Sequence, residues 1–204
     1  MKHTSLVTAC AAAFVVVASP ARAQVADSAF ITQVEAAGNM AIIQQVESQG
    51  NNYATIDQIQ NGYYGYGGGN RAQVQQTGVG DSQVRVSQSG QGNDYTVTQS
   101  YGRNLAAFVD TQASSDGGAG GDYNTVLIQQ SGVDSTAFVD NGFGSNNNHA
   151  DVTQQGFGGQ NQASIVQYGT SGSQASVYQA GGNLTGVIIQ SGGGANMATI
   201  RQGY

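Results

Sequence analysis

Apolar and polar residues alternate with a period of two along most of this chain, in a seven-residue phrase that recurs many times. The clearest copy is Asn161-Gln-Ala-Ser-Ile-Val-Gln167, where positions 1, 3, 5 and 7 are Asn, Ala, Ile and Gln. In a strand those four side chains point to one face, and the polar residues between them point to the other. Each phrase therefore predicts one half-buried β-strand.

The phrase starts at thirteen places, always with Asn or Ser, and most starts lie 10–13 residues apart. Between copies come Gly, Asn, Asp and Ser, which accept the backbone angles of tight turns. Two longer spacings, of 18 and 20 residues, contain the glycine-rich inserts 62–69 and 113–122. We therefore expect one strand and one turn per copy. The starts are Asn39, Asn52, Asn70, Ser82, Asn93, Asn104, Asn124, Ser135, Asn148, Asn161, Ser173, Asn183 and Asn196.

The four alternate positions predict two kinds of inward row. Positions 3 and 5 predict the apolar core, whose clearest members are Ala41, Ile43, Ala54, Ile56, Ala72, Val74, Ala150, Val152, Ala163, Ile165, Ala175, Val177, Ala198 and Ile200. Positions 1 and 7 predict ladders of stacked polar side chains, mainly amides: Asn39, Gln45, Asn52, Gln58, Asn70, Gln76, Ser82, Gln88, Asn93, Gln99, Asn148, Gln154, Asn161, Gln167, Ser173, Gln179, Asn196 and Gln202. Stacked amides supply both donor and acceptor to each other, which offsets the cost of burying them.

A few copies break the pattern at position 7. Asp110, Asn141 and Ile189 stand where Gln is expected, and Gln190 follows one residue late. A late Gln predicts a bulge or a slipped register.

One phrase cannot bury its apolar face alone, whereas two strands back to back can. Two phrases then form a layer of about 22–26 residues, and layers stack about 4.8 Å apart. We therefore predict an all-β fold, a β-solenoid of about thirteen half-repeats with amyloid-like cross-β stacking. The phrase continues to Gln202 with no capping segment after it, so the last layer is expected to offer unpaired backbone groups to another molecule. Head-to-tail addition of this kind propagates as a filament.

Three segments follow from the chain in order. Residues 1–23 combine a basic start, a short apolar run and a small-x-small motif, which predicts a signal peptide cut between Ala23 and Gln24. Residues 24–38 form a leader, in which a degenerate strand would begin its frame at Ser28 and continue through Phe30, Thr32 and Val34. The repeat solenoid is predicted to span 39–204.

Composition narrows the function classes for residues 24–204. This part contains no Cys, Pro, Lys or Trp, so disulfides cannot stabilise it. Four arginines stand against twelve acidic residues, a net charge of −8, which disfavours nucleic acid as a partner. Stacked like charges repel, so we interpret Asp57, Asp110, Asp140 and Asp151 as gatekeepers that slow premature assembly, with Asp110 replacing an inward Gln.

No catalytic, metal or cofactor site is predicted. Residues 117–122 match the start of a calcium-binding glycine-rich nonapeptide, but such sites need consecutive copies, and a flexible insert is the favoured interpretation. His149 lies on an outward position beside Asp151 without further partners, which indicates a solvated surface residue rather than an enzyme site.

These phrases resemble the curlin family, the subunits of bacterial curli amyloid fibres. The family phrase, Ser/Asn-x5-Gln with an adjoining glycine-rich turn, is matched at Asn39–Gln45, Asn52–Gln58, Ser82–Gln88, Asn161–Gln167 and Ser173–Gln179, and the resemblance covers nearly the whole chain from Asn39. It implies export through an outer-membrane pore, then assembly at the cell surface, with another curlin subunit as partner, into fibres of the biofilm matrix. The ending Gln202-Gly-Tyr204 and the low basic content favour the major subunit over the nucleating one.

The expected function is thus a self-assembling structural subunit of an extracellular fibre, with host or abiotic surfaces as possible targets of adhesion. The alternative is a monomeric secreted β-solenoid that acts as an adhesin or binds ice or another surface. An ice-binding face would need a regular outward Thr row. Thr96 and Thr98 share a strand, but the neighbouring copies do not repeat them.

Overall fold

The computed structural model describes residues 14–18, 27–34, 38–47, 49–59, 69–111, 122–156 and 158–203, and these residues form strands and turns. Short strands at regular spacing are what the alternating phrase predicts. The strands are β1 (Phe14–Ala18), β2 (Ser28–Val34), β3 (Met40–Val46), β4 (Tyr53–Ile59), β5 (Arg71–Gly80), β6 (Gln83–Ser89), β7 (Asp94–Arg103), β8 (Ala106–Thr111), β9 (Thr125–Val133), β10 (Ser135–Asn141), β11 (His149–Gly156), β12 (Asn161–Tyr168), β13 (Gln174–Ala180), β14 (Thr185–Ser191) and β15 (Met197–Gln202).

Successive strands alternate between two parallel sheets. The odd sheet has the order β1-β3-β5-β7-β9-β11-β13-β15, and the even sheet has the order β14-β12-β10-β8-β6-β4-β2. Each turn therefore carries the chain from one sheet to the other, and two phrases complete one layer. The predicted all-β fold of stacked strands, built like a solenoid, is confirmed.

Strands pair in register, so that equal positions of the phrase stack. Between β11 and β13, for example, Ala150 pairs with Ala175 and Val152 with Val177. The facing Ala, Val and Ile rows of the two sheets form one continuous core between them. Twelve of the fourteen residues predicted for the core rows are buried, while Ala198 and Ile200 in the last strand are partly buried against the same core.

Glycines allow the layers to approach closely at the end of several odd-sheet strands. A Cβ on Gly132 would lie 1.6 Å from the carbonyl oxygen of Gly156, and one on Gly156 would lie 1.9 Å from that of Gly181. No side chain fits at those distances, so the backbone contact between layers requires glycine there.

The predicted leader contains a true repeat strand, but its frame begins one residue earlier than predicted. In β2, Ala29 pairs with Ala54 and Ile31 with Ile56, while Phe30 and Val34 point outward and are exposed. This frame places a small and a branched side chain in the core rows that already hold Ala and Ile. The frame from Ser28 would instead have placed Phe30 beside Ala54. The strands that follow the repeat phrase thus begin at β2, within the segment predicted as a leader.

Two further copies of the phrase, predicted to start at Asn104 and Asn183, start one residue later in the structure. Both asparagines have positive φ, of 55° and 58°, and belong to the preceding turns. The lead positions are held by Leu105 and Leu184. At Gln190 the extra residue therefore lies in the turn, because β12 and β14 pair without a bulge.

β1 lies within the segment predicted as a signal peptide. It pairs in parallel with β3, with Phe14 beside Ala41 and Ala18 beside Gln45. The predicted cleavage residues Ala23 and Gln24 lie outside the described residues, as do 62–68 and 113–121 of the two inserts.

Candidate assembly site

Position 7 of the odd sheet forms an unbroken ladder of seven glutamines. The Nε2 of each donates to the Oε1 of the next, at 2.8–2.9 Å, from β3 to β15. The ladder is Gln45, Gln76, Gln99, Gln130, Gln154, Gln179 and Gln202. All its bonds run in the same direction, so the ladder has a donor end at β15 and an acceptor end at β3.

From Gln76 to Gln202, each amide nitrogen also donates to a backbone carbonyl on the side of the facing sheet. Gln154 Nε2 donates to Thr136 O at 3.0 Å, and Gln179 Nε2 donates to Gln162 O at 2.9 Å. An interior glutamine therefore accepts one bond and donates two, which satisfies both N–H groups of the amide inside the core. This explains how fully buried amides are tolerated between two apolar rows.

Position 1 forms a second ladder by a different mechanism. Where the lead residue is Asn, its side-chain oxygen can accept the backbone N–H of the lead residue in the next layer, as from Asn124 N to Asn93 Oδ1 at 2.9 Å and from Asn148 N to Asn124 Oδ1 at 3.0 Å. The amide nitrogen binds a turn carbonyl, for example Asn124 Nδ2 to Ser145 O at 2.9 Å. The lead residue thus joins each turn to its neighbour, and Ser173 does so with its hydroxyl.

The even-sheet glutamine ladder is interrupted at two strands. Gln33 donates to Gln58 and Gln58 to Gln88, each at 2.7 Å, and the ladder resumes between Gln167 and Gln190 at 2.9 Å. Thr111 of β8 and Asn141 of β10 lie between these two parts in the row. Neither amide atom of Asn141 has a hydrogen-bond partner among the described residues, although the side chain is buried.

Tyr95 fills the space opposite this interruption. It occupies position 3 of β7, between Ala72 and Val126 of the neighbouring strands, and is fully buried. Its hydroxyl contacts that of Thr111 across the core. A large side chain in the small row thus meets a short side chain in the amide row. Burial raises the pKa of the Tyr95 hydroxyl, so it remains protonated.

The residues predicted for the amide ladders occupy inward positions. Sixteen of the eighteen are buried, and Asn196 and Gln202 are partly exposed because they belong to the last strand. Asn124 and Gln130, positions 1 and 7 of the copy that starts at Asn124, lie in the same rows, and the structure adds Gln33 and Gln190.

The four predicted gatekeeper acids point outward, including Asp110. Because Thr111 is the inward residue, the prediction that Asp110 replaces an inward Gln is wrong. Asp110 pairs directly with Asp140 in the next layer, so two carboxylates stack on one column. Asp57 instead lies between Thr32 and Ser87, and Asp151 between Leu127 and Ser176.

Burial changes the pKa of two of these acids, Asp140 and Asp151. Burial and the neighbouring Asp110 charge raise the pKa of Asp140. Burial also raises the pKa of Asp151, an effect that His149 and a hydrogen bond from Thr153 oppose. Of the four acids, Asp110 and Asp140 are the ones placed for direct like-charge repulsion.

The last strand of each sheet carries the phrase to an open edge. β15 lies at one end of the odd sheet, and Met197 on it is 76% exposed. Gln202 accepts from Gln179 and donates to Thr185 O at 3.0 Å, which uses one of its two N–H groups. At the opposite end β2 closes the even sheet, and β3 lies under β1.

Other chemistry is sparse in the described part of the chain. No cluster of three or more His, Cys, Asp or Glu residues is placed to hold a metal ion there. Two shallow grooves, of about 230 and 310 Å³, lie on the outer surface beside Gln129 and beside Phe138. Within the described residues, no helix has the length and hydrophobicity to cross a bilayer. Thr96 and Thr98 are flanked by Gln73, Leu127, Gln75 and Gln129, so the neighbouring strands do not extend a threonine array.

Sequence reasoning missed three functional positions. Asp27, Leu105 and Leu184 are lead residues that are neither Asn nor Ser, and each aligns with a lead residue in the next layer. The Ala-x-Ile-x-Gln and Gly-x-Ile-x-Gln patterns that follow Asp27 and Leu184 could have identified two of them.

Comparison of the chain with protein families, with curated proteins and with solved structures found no match.

Proposed function

We propose that this chain is a structural subunit of an extracellular, curli-type functional amyloid fibre, in which copies add head to tail. The observation that carries the proposal is that the first and last layers have the same seven-residue phrase, with each position of the phrase at the same place along the strand. Stacking β15 of one copy on β3 of the next puts Ala198 on Ala41 and Ile200 on Ile43, as between layers of one molecule. The same step puts Ile188 of β14 on Ile31 of β2.

The amide ladders support the same junction. Gln202 has an N–H left to donate, and Gln45 has an oxygen that a preceding glutamine would bond. In the even sheet, Gln190 is the donor end of the ladder and Gln33 is the acceptor end. Donor end meets acceptor end in a head-to-tail contact, whereas two like ends would face each other with the same group. The fibre is therefore polar, and the junction reproduces an internal layer.

Exposed apolar side chains at the two ends fall on matching columns. Met197 and Met40 both occupy position 2 of the odd sheet, and Val187 and Phe30 both occupy position 4 of the even sheet. All four are exposed in the single chain. Head-to-tail stacking removes part of this surface from water, which favours assembly.

The cellular setting rests on the predicted signal peptide and on the resemblance to curlins. Cleavage after Ala23 would remove β1, which covers the edge of β3, and would open the acceptor end. The cleaved chain would then be exported and would form fibres at the surface of a bacterium with an outer membrane, where the fibres serve as biofilm matrix and in adhesion. The major fibre subunit is favoured over the nucleating one. A partner curlin subunit and a secretion pore belong to the same proposal.

The test is seeded growth of purified 24–204. We expect fibres with reflections near 4.8 and 10 Å, and we expect Ala198→Arg to stop elongation while the monomer keeps its β spectrum. Thr199→Arg, on the outward side of the same strand, is the matched control and should still elongate. A lasting monomer would contradict the fibre proposal and favour the solenoid adhesin. Normal growth of Ala198→Arg would contradict this junction.

A further inference from the structure

The outer faces of the two sheets differ, although both sheets are built from one phrase. Among the described residues, the odd-sheet strands carry three exposed large apolar side chains: Met40 and Met197 in the end layers, and Tyr101 near the end of β7. The even-sheet strands carry eight: Phe30, Val34, Tyr53, Ile59, Phe138, Tyr168, Val187 and Ile189. The difference therefore concerns the outward residues, since the inward rows are alike.

The apolar residues of the even face form neighbouring columns. Phe108 stacks on Phe138 at position 4, and Val166 stacks on Ile189 at position 6. Ile189 is 71% exposed. On the odd face the corresponding columns hold mostly amides and hydroxyls, such as Gln75, Thr98, Gln129 and Thr153. Exposed apolar side chains concentrated on one face, interspersed with a few charged ones, are typical of a surface that another molecule covers.

The size of the even face suits a second filament. Seven layers at about 4.8 Å and strands of seven residues at about 3.3 Å give roughly 34 by 23 Å, or nearly 800 Å² per copy. A stable protein interface buries about 800 Å² on each partner. In a filament the same face repeats with every copy, so even a weak contact is multiplied along the axis.

The charges of the face specify how two copies would meet. It carries Arg85 on β6 and the carboxylates of Asp57, Asp110 and Asp140 on β4, β8 and β10. Arg85 has no ion-pair partner among the described residues, whereas Arg71 on the odd face pairs with Asp94 at 3.6 Å. An antiparallel arrangement centred on β8 sets β6 of each copy opposite β10 of the other. Arg85 then lies opposite the strand that carries Asp140, in both directions.

We propose that filaments of this chain pair face to face through their even sheets, with Arg85 of one copy against Asp140 of the other, leaving the odd sheets in water. This inference rests on the proposed fibre but concerns its lateral contact rather than its growth. Failure of pairing would therefore leave the head-to-tail fibre intact.

The experiment measures mass per length of fibres of 24–204 by scanning transmission electron microscopy. We expect about two copies per ~34 Å of rise, and about one copy for Phe108→Ser/Phe138→Ser. Leu127→Ser/Tyr178→Ser, the matched pair on the odd face, should stay at two. Both double variants change outward positions, and growth rates measured in parallel show whether elongation is retained.

A charge exchange tests the orientation. Arg85→Glu should halve the mass per length, and adding Asp140→Arg to it should restore two copies. Single filaments of the unaltered chain, or pairing that survives Phe108→Ser/Phe138→Ser, would overturn the inference. Single filaments that bind lipid vesicles through the even face would overturn it in favour of surface binding. A complete lack of fibres would instead count against the proposed function.

Discussion

Replacing one interior glutamine of the odd-sheet ladder should show how much the ladder contributes to the free energy of unfolding. Gln130 accepts from Gln99 at 2.9 Å, and its Nε2 donates to Gln154 at 2.8 Å and to Ala106 O at 3.0 Å. Gln130→Ala leaves the Gln99 N–H and the Gln154 oxygen buried without partners. Each orphaned buried group costs about 1–3 kcal/mol. With the packing loss included, we expect the free energy of unfolding to fall by roughly 3–6 kcal/mol.

The assay is urea unfolding of 24–204, followed by circular dichroism at concentrations too low for assembly. Gln129→Ala is the matched control, because the neighbouring side chain points outward and is exposed. We expect it to change stability by no more than about 0.5 kcal/mol. Equal losses for Gln130→Ala and Gln129→Ala would refute the reasoning that the buried ladder, rather than amide content, stabilises the solenoid.

The end of the ladder adds a second comparison. Gln202→Ala removes one partner, that of Gln179, next to solvent, so the monomer should lose only about 1 kcal/mol. In a fibre Gln202 becomes an interior glutamine of the ladder, bonded to a glutamine on each side. The urea concentration that dissolves fibres should therefore fall about as much for Gln202→Ala as for Gln130→Ala. A Gln202→Ala fibre as resistant as the unaltered one would contradict the proposed junction.

Three further predictions follow from the interrupted row, the stacked acids and β1. Tyr95→Ala should lower the free energy of unfolding in urea by about 3–5 kcal/mol. Thr111→Gln restores a glutamine to the even-sheet ladder, and a double-mutant cycle of the two substitutions should show a coupling energy of at least ~1 kcal/mol. Zero coupling would mean that the two positions are independent. The pKa of Asp140 is raised in the folded chain, so the folded chain binds this proton more tightly than the unfolded chain does. The stability that Asp140 contributes is therefore greatest below the ordinary carboxyl pKa, and it is lost as pH rises through the raised pKa. Asp140→Asn should therefore increase stability and speed assembly at pH 7, with little effect of Asp57→Asn, and equal effects would argue against the stacked charge. Chains that retain residues 1–23 should add to 24–204 seeds several-fold more slowly at the β3 end than cleaved chains, and equal rates would show that β1 does not cover that edge.

The intact copies of the phrase could be predicted from the sequence alone. Where Asn, Ala, Ile and Gln recur at every second position, as from Asn161 to Gln167, strand periodicity assigns each residue to a face. Side-chain size then separates core rows from amide rows. The alternating sheets, the core and the buried ladders follow from that pattern, because like residues stack with the least strain and the most complete hydrogen bonding.

Only the tertiary structure decided the frame where a copy is degenerate. Near Asn104 the sequence permits two frames, since Asn suits both a lead position and a left-handed turn. Stacking selects the one that puts Val109 on Val86 and leaves Asp110 in water. Likewise Tyr95 looks out of place in an alanine row until Thr111, sixteen residues away, is found opposite it. The sequence by itself determined the repeating rung, and contacts between layers determined its exceptions, because side chains distant in the chain must share one closely packed core.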